Sequence, residues 1–171
     1  MLAIFSNFEM LAGLHKDLLT QLREAVNNFP NVSIGTLFGE FVPSMQVYTQ
    51  YVNKFSASLA ALEAERAKSK AFAQFLLSCE ESHPLPLEAL LSLPLNRIPH
   101  YRGVLSQILA STPRNGPEYI KLANVTRELS ELQDYLNDSK TQSDNMATAS
   151  SDHSAVRAVT DDPWWSCGVP G

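Results

Sequence analysis

Apolar residues recur along most of this chain at intervals of three and four, the spacing that gathers side chains on one face of an α-helix. The first stripe runs through Phe8, Leu11, Leu14, Leu18, Leu22, Ala25 and Val26. Ser6 and Glu9 stand at capping-box spacing ahead of it, with Phe5 and Met10 placed as a hydrophobic staple, and Asn27, Asn28 and Pro30 close it. A short helix is expected over residues 36–42, after which Pro43 kinks or restarts the chain. Phe41, Met45, Tyr48, Val52, Phe55, Leu59 and Leu62 then alternate steps of four and three, which predicts a long helix laying one stripe into a bundle. Residues 63–70 are mostly charged and read as solvated. Phe72, Phe75, Leu76 and Cys79 predict a further helix over residues 69–81.

The run His83-Pro84-Leu85-Pro86 cannot continue a helix and must connect two of them. Residues 87–111 read as a helix interrupted at Pro94 and Pro99, with Leu90, Leu91, Ile98, Tyr101, Leu105, Ile108 and Leu109 facing inward. Residues 112–117 form a turn, and a last helix carries Tyr119, Leu122, Val125, Leu129, Leu132 and Leu136. No alternating strand pattern of useful length occurs. The fold class is therefore all-α, an elongated helical bundle.

From Ser139 the composition shifts to Ser, Thr, Asp, Asn and Ala without apolar periodicity. Such a segment buries too little surface to offset its chain entropy, so residues 139–171 are expected to form a disordered tail after a domain of residues 1–138. Trp164 and Trp165 are unusual in that setting. They are either incidental or a short anchor for a partner's pocket.

Length and composition narrow the function. The 171 residues suit one domain, and a hydrophobic fraction of 44% is enough to fill its core. A net charge of −5 without a basic run argues against a nucleic-acid partner or an anionic membrane surface. Cys79 and Cys167 lie too far apart to suggest a disulfide framework, which fits a reducing cytoplasm. The apolar start has no basic leader, and no apolar run reaches membrane-spanning length. His15, His83, His100 and His153 lack metal-ligand spacing, so no metal is expected. No glycine-rich phosphate loop or nucleophile elbow is present, and Glu80 and Glu81, being adjacent, diverge on a helix. No cofactor is implied. Function should reside in a surface.

One block is more informative. Leu90-Leu91-Ser92-Leu93-Pro94-Leu95-Asn96-Arg97-Ile98-Pro99-His100-Tyr101 resembles the third conserved region of Dbl-homology domains, with Pro94, Arg97, Ile98 and Tyr101 at the expected spacing. Val104-Leu105 and Ile108-Leu109 continue its apolar run. Phe41-Val42-Pro43, followed by Tyr48, Tyr51, Val52 and Lys54, is similar to the second region with its paired tyrosines. Phe5 through Leu22 resembles the helix before that, including its His, and Leu136-Asn137-Asp138 resembles the ending of the family's long last helix. The four signals occur in the family's order across residues 3–138.

The resemblance implies a helical guanine-nucleotide exchange module without covalent chemistry. Its partner would be a Rho-family small GTPase, whose two switch segments one face of the bundle grips. The nucleotide-free state is stabilised because the module binds it better than the loaded one. By resemblance the contact residues are Asn96, Arg97, His100, Val104, Asn137 and Asp138. Each also has a plainer role: Arg97 and Tyr101 as packing and helix-orienting residues, Asn96, His100 and Asn137 as ordinary surface.

Departures from the family pattern bear on activity. By the resemblance, the family's first conserved region, a long helix completing the bundle, is expected to be missing, and no pleckstrin-homology domain is expected in residues 139–171. His100 stands where the family commonly has Lys, Asn96 where it has Gln, and Gly103 where it favours Leu. A truncated module of reduced activity is the expectation. The alternative is a helical scaffold fragment whose uncovered groove pairs with another helix, including one from a second copy.

Overall fold

The structure, a computed structural model, describes the backbone of residues 2–28, 30–83 and 85–160, and the side chains of residues 3–28, 30–83 and 85–146. All regular structure among these residues is helical. In chain order the α-helices are α1 (Leu2–Phe5), α2 (Phe8–Asn27), α3 (Ile34–Phe41), α4 (Val47–Lys68), α5 (Lys70–Ser82), α6 (Leu87–Ser92), α7 (Arg97–Ser111) and α8 (Pro117–Thr160). Two 3₁₀ turns, Val42–Gln46 and Leu93–Asn96, join α3 to α4 and α6 to α7. Each carries a proline as its second residue, Pro43 and Pro94, which tightens the chain without needing its missing N–H.

The long α8 is the spine of the bundle, and α3, α4 and α7 pack along it. The main core draws on Leu11, Leu18, Phe38, Met45, Tyr48, Ile98, Leu105, Leu122 and Leu129, so it joins α2, α3, α4, α7 and α8. A second cluster of Ile4, Leu62, Leu76 and Leu91 closes the end where α1, α5 and α6 meet α4. The Tyr51 hydroxyl links the two levels by donating to the carbonyl oxygen of Leu91 at 2.7 Å.

The crossing of α3 and α8 explains one glycine. Ser33 caps α3 by accepting from the Thr36 N–H at 3.0 Å, and the Gly35 N–H donates to Glu118 Oε1 at 2.8 Å. A Cβ on Gly35 would lie 2.6 Å from Lys121 Cβ and 3.0 Å from Leu122 N. Only glycine allows the two backbones this approach.

Several local expectations change in the fold. Ser6 and Glu9 do not form a capping box. Ser6 turns the chain at φ 49°, and Asn7 becomes the N-cap position, buried with its side-chain N–H₂ donating to the Val47 carbonyl at 3.0 Å. A long-range bond to α4 thus replaces the local reciprocal cap, and Phe5 and Met10 remain exposed. Pro99 does not interrupt a helix, because it falls in the first turn of α7, where its missing N–H would have had no intrahelical partner. Val26, 73% exposed, and Phe75, 61% exposed, sit outside the stripes they seemed to extend, and Leu90 and Ile108 are exposed rather than inward. Glu80, read from sequence only as diverging from Glu81, joins an ion-pair cluster in which Arg66 Nη2 meets it at 3.5 Å and Glu88 at 2.8 Å, tying α4 to α5 and α6.

The polar stretch does not leave the fold at Ser139 either. The helix α8 continues to Thr160, and its polar residues find partners on α4. Ser143 donates to the Asn53 carbonyl at 2.7 Å, and Ser56 donates to Asp144, which also pairs with Lys140 at 3.0 Å. The disorder expected from Ser139 is therefore corrected for residues 139–146, whose helix is held by hydrogen bonds where apolar burial is lacking. Trp164, Trp165 and Cys167 lie outside the described residues.

Candidate functional site

The 3₁₀ turn Leu93–Asn96 aims the start of α7 across α2 and opens a cleft of about 630 Å³ between them. Its floor is mostly apolar, with Phe8, Leu11 and Ala12 on one side and Leu90, Leu93 and Pro94 on the other. Asn96, Arg97 and His100 line the same cleft. All three are exposed, as is Val104, four residues beyond His100 on the same row of α7.

The structure does not gather all six predicted contact residues around one depression. Asn137 lines a smaller cavity of about 60 Å³ with Leu95, Ile98, Pro99 and Gln133, on the other flank of α7. Asp138 is exposed next to it and lines neither depression. The row Asn96, Arg97, His100, Val104 and the pair Asn137, Asp138 therefore stand on two sides of one helix-on-helix ridge, where α7 packs on α8.

Beneath the cleft lies a polar centre that periodicity alone did not single out. Leu11, Leu18 and Ala25 of α2 are buried at steps of seven, and His15 falls inside that seam. A polar side chain in an apolar seam needs partners. Here both ring nitrogens have one: Nε2 lies 2.6 Å from the Tyr48 hydroxyl and Nδ1 lies 2.9 Å from the Tyr101 hydroxyl. A neutral imidazole donates through one nitrogen and accepts through the other, and a phenol can meet either. Burial, reinforced by the nearby Arg97 guanidinium, lowers the His15 pKa below its ordinary value and favours that neutral form.

The tyrosines are placed by their own packing. Tyr48 is almost wholly buried, and burial, helped by Tyr101, pushes its pKa up against the opposing pull of Arg97. The Tyr51 hydroxyl is pushed up to about 12 by burial. The Tyr101 ring meets Phe38 and Phe41 edge-on, with centroids 5.6 and 6.4 Å away. The Arg97 guanidinium carbon lies 5.3 Å from the centre of the same ring, a cation–π arrangement. Arg97 and Tyr101 thus do orient and pack, while the Arg97 side chain stays accessible at the cleft. The sequence signals for His15 were its place within the first apolar stripe and its match to the His of the family's corresponding helix, neither of which pointed to the tyrosines it meets.

Among the described residues no group of His, Cys, Asp and Glu could hold a metal ion, and no helix is long and apolar enough to cross a membrane. The fold and the exposed ridge define an all-helical protein that offers a shaped surface.

Comparison with known proteins gives that surface a family. The RhoGEF domain matches residues 1–137, and the chain belongs to the RhoGEF (Dbl-homology) family. Rac guanine nucleotide exchange factor JJ of Dictyostelium discoideum is 29% identical over 147 residues, covering 84% of this chain and 12% of the relative. The activated truncation of Vav1 superposes with a TM-score of 0.78 at 20% identity, covering 86% of this chain and 38% of that one. The DH/PH fragment of PDZRhoGEF, solved in complex with human RhoA, superposes with a TM-score of 0.73 at 24% identity, covering 84% and 43%. The chain spans about a tenth of the length of the first curated relatives it matches.

Proposed function

We propose that residues 1–138 form a guanine-nucleotide exchange module for a Rho-family small GTPase, a regulator that works by binding and not by covalent catalysis. The observation that carries this reading is the family match over residues 1–137. The relatives similar to this chain include Rac exchange factors, and a structural neighbour is complexed with RhoA. The α7 ridge suits the role. Asn96, Arg97 and His100 offer an amide, a cation and an imidazole around an apolar cleft, and Val104, Asn137 and Asp138 extend the surface to either side. A GTPase whose switch segments fit this ridge better when its nucleotide site is empty would lose nucleotide faster.

Residues 1–171 by themselves are proposed to exchange slowly. Two features support this. A histidine, His100, stands where the family commonly has Lys, and the apolar cleft beside it stands open, with Leu93 half exposed at its edge.

The test is capture of nucleotide-depleted RhoA and Rac by the purified chain, with Asn96→Ala plus Asn137→Ala as the comparison. Losing two polar contacts of roughly 1 kcal/mol each should weaken binding about tenfold or more. Equal binding by both proteins would remove the site assignment. In a fluorescent-nucleotide release assay the wild-type chain should accelerate release only slightly, and strong, dose-dependent release would refute the reduced-activity proposal.

A further inference from the structure

Resting on that reading, we infer that His15 is a positioning residue for exchange: it fixes the α7 contact ridge from beneath, through Tyr101 and Arg97. The geometry follows from three contacts. His15 belongs to α2, yet its two nitrogens hold hydroxyls from α4 and α7, residues 33 and 86 positions away in sequence. One planar ring therefore sets the spacing of three helices at a point directly under the cleft. Tyr101 passes that constraint on. Its hydroxyl is fixed by His15, its ring by Phe38 and Phe41, and Arg97 rests over its face. A guanidinium held on a fixed aromatic ring loses less freedom on binding than one on a mobile arm, and such preorganisation strengthens association without new contacts.

The bridge works only with a neutral imidazole. The groups around His15 are Phe41 from α3, Tyr48 from α4, and Tyr101 and Arg97 from α7, with His100 across the cleft. None is a carboxylate. A proton added to His15 would place a second cation near Arg97 and require both phenols to accept. Acidification should therefore loosen the Tyr101 anchor before it disturbs the apolar core.

The experiment measures affinity for nucleotide-depleted RhoA and Rac at neutral pH, with circular dichroism confirming that each variant is folded. The variants are Arg97→Ala, Tyr101→Phe, His15→Leu, His15→Gln, and the double variant His15→Leu with Arg97→Ala. Arg97→Ala should weaken binding about tenfold, and His15→Leu and Tyr101→Phe about threefold to tenfold each. His15→Gln, whose amide both donates and accepts, should recover most of the loss. The double variant should bind no worse than Arg97→Ala alone, because His15 acts through the group already removed.

If Arg97→Ala weakens binding while Tyr101→Phe binds like wild type, this inference is overturned and the exchange reading stands. Losses that simply add in the double variant would also overturn it, since they would mark a general structural role. If His15→Leu fails to fold, Tyr101→Phe decides the matter, because it keeps the ring and removes only the hydroxyl. Full binding by Arg97→Ala would remove Arg97 from the contact surface and overturn this inference alone, and absence of binding by the wild-type chain would sink the exchange reading and this inference with it.

Discussion

A methyl group added at Gly35 tests how closely the bundle is assembled. Where α3 crosses α8, the new Cβ would meet Lys121 Cβ at 2.6 Å, Leu122 N at 3.0 Å and Lys121 C at 3.1 Å. Two of these atoms are helix backbone and cannot swing aside, so the helices must separate. Leu122 and Val125, both buried along that seam, would loosen, and the bond from the Gly35 N–H to Glu118 would lengthen. Overpacking of this kind costs about 1–3 kcal/mol. Weakening the hydrogen bond adds up to about 1 kcal/mol, and the better helix propensity of alanine returns about 1 kcal/mol. These terms sum to about 0–3 kcal/mol, so the central expectation for Gly35→Ala is a net loss of about 1.5 kcal/mol.

Gly103→Ala is the matched control. Nothing lies within 4 Å of its added Cβ, so only the propensity gain of about 1 kcal/mol remains. Urea unfolding followed by circular dichroism separates the two. With a slope of about 2 kcal/mol per molar, Gly35→Ala should move the midpoint down by about 0.5–1 M and Gly103→Ala should move it up by about 0.5 M. A Gly35→Ala midpoint at or above that of the wild type would refute the close crossing of α3 and α8.

Two further outcomes concern a half-buried histidine and a partly exposed ion-pair cluster. The folded His15 pKa is below its ordinary value of 6.5, so the unfolded chain takes up that proton first. Stability should therefore fall as pH drops below about 6.5 and continue to fall until the folded pKa is passed. Urea midpoints at about pH 8 and pH 5.5 should show a larger acid loss for wild type than for His15→Leu, and equal losses would contradict the buried, neutral bridge. Arg66→Met removes the ion pairs to Glu80 and Glu88 that close α5 and α6 onto α4. These groups are about a third exposed, so the loss should be only about 0.5–1 kcal/mol and should shrink in about 1 M salt. A loss that salt leaves unaltered would show the arginine acting through packing instead.

The proposed contact ridge is stiff where it needs to be. Arg97, His100 and Val104 sit on a helix and not on a loop, and that helix is buried on its inner side through Ile98 and Leu105. Asn96 lies in the tight turn just ahead of it. A ridge built this way presents its side chains in one arrangement, as a surface acting only through differential affinity requires.

The sequence by itself determined the helices, their order and the family. Three-four periodicity is a local property, so the stripes through Leu11 and Leu18, through Tyr48 and Val52, and through Leu122 and Leu129 could be read without knowing what they face. The Arg97–Tyr101 block was legible for the same reason, as a short run with fixed spacing. Whatever depends on a distant partner was decided only in the tertiary structure. The Asn7 side chain is buried because the Val47 carbonyl lies beside it to accept its hydrogen bond, and residues 139–146 stayed helical against α4 because Asn53 and Ser56 supply hydrogen bonds that composition does not reveal. The predicted contact residues were divided between two flanks of α7 by the way that helix rolls onto α8. His15 became a junction because two tyrosines far away in sequence reach it. Periodicity records which residues share a face, while the partner that face meets is fixed by long-range packing, which no local window of sequence contains.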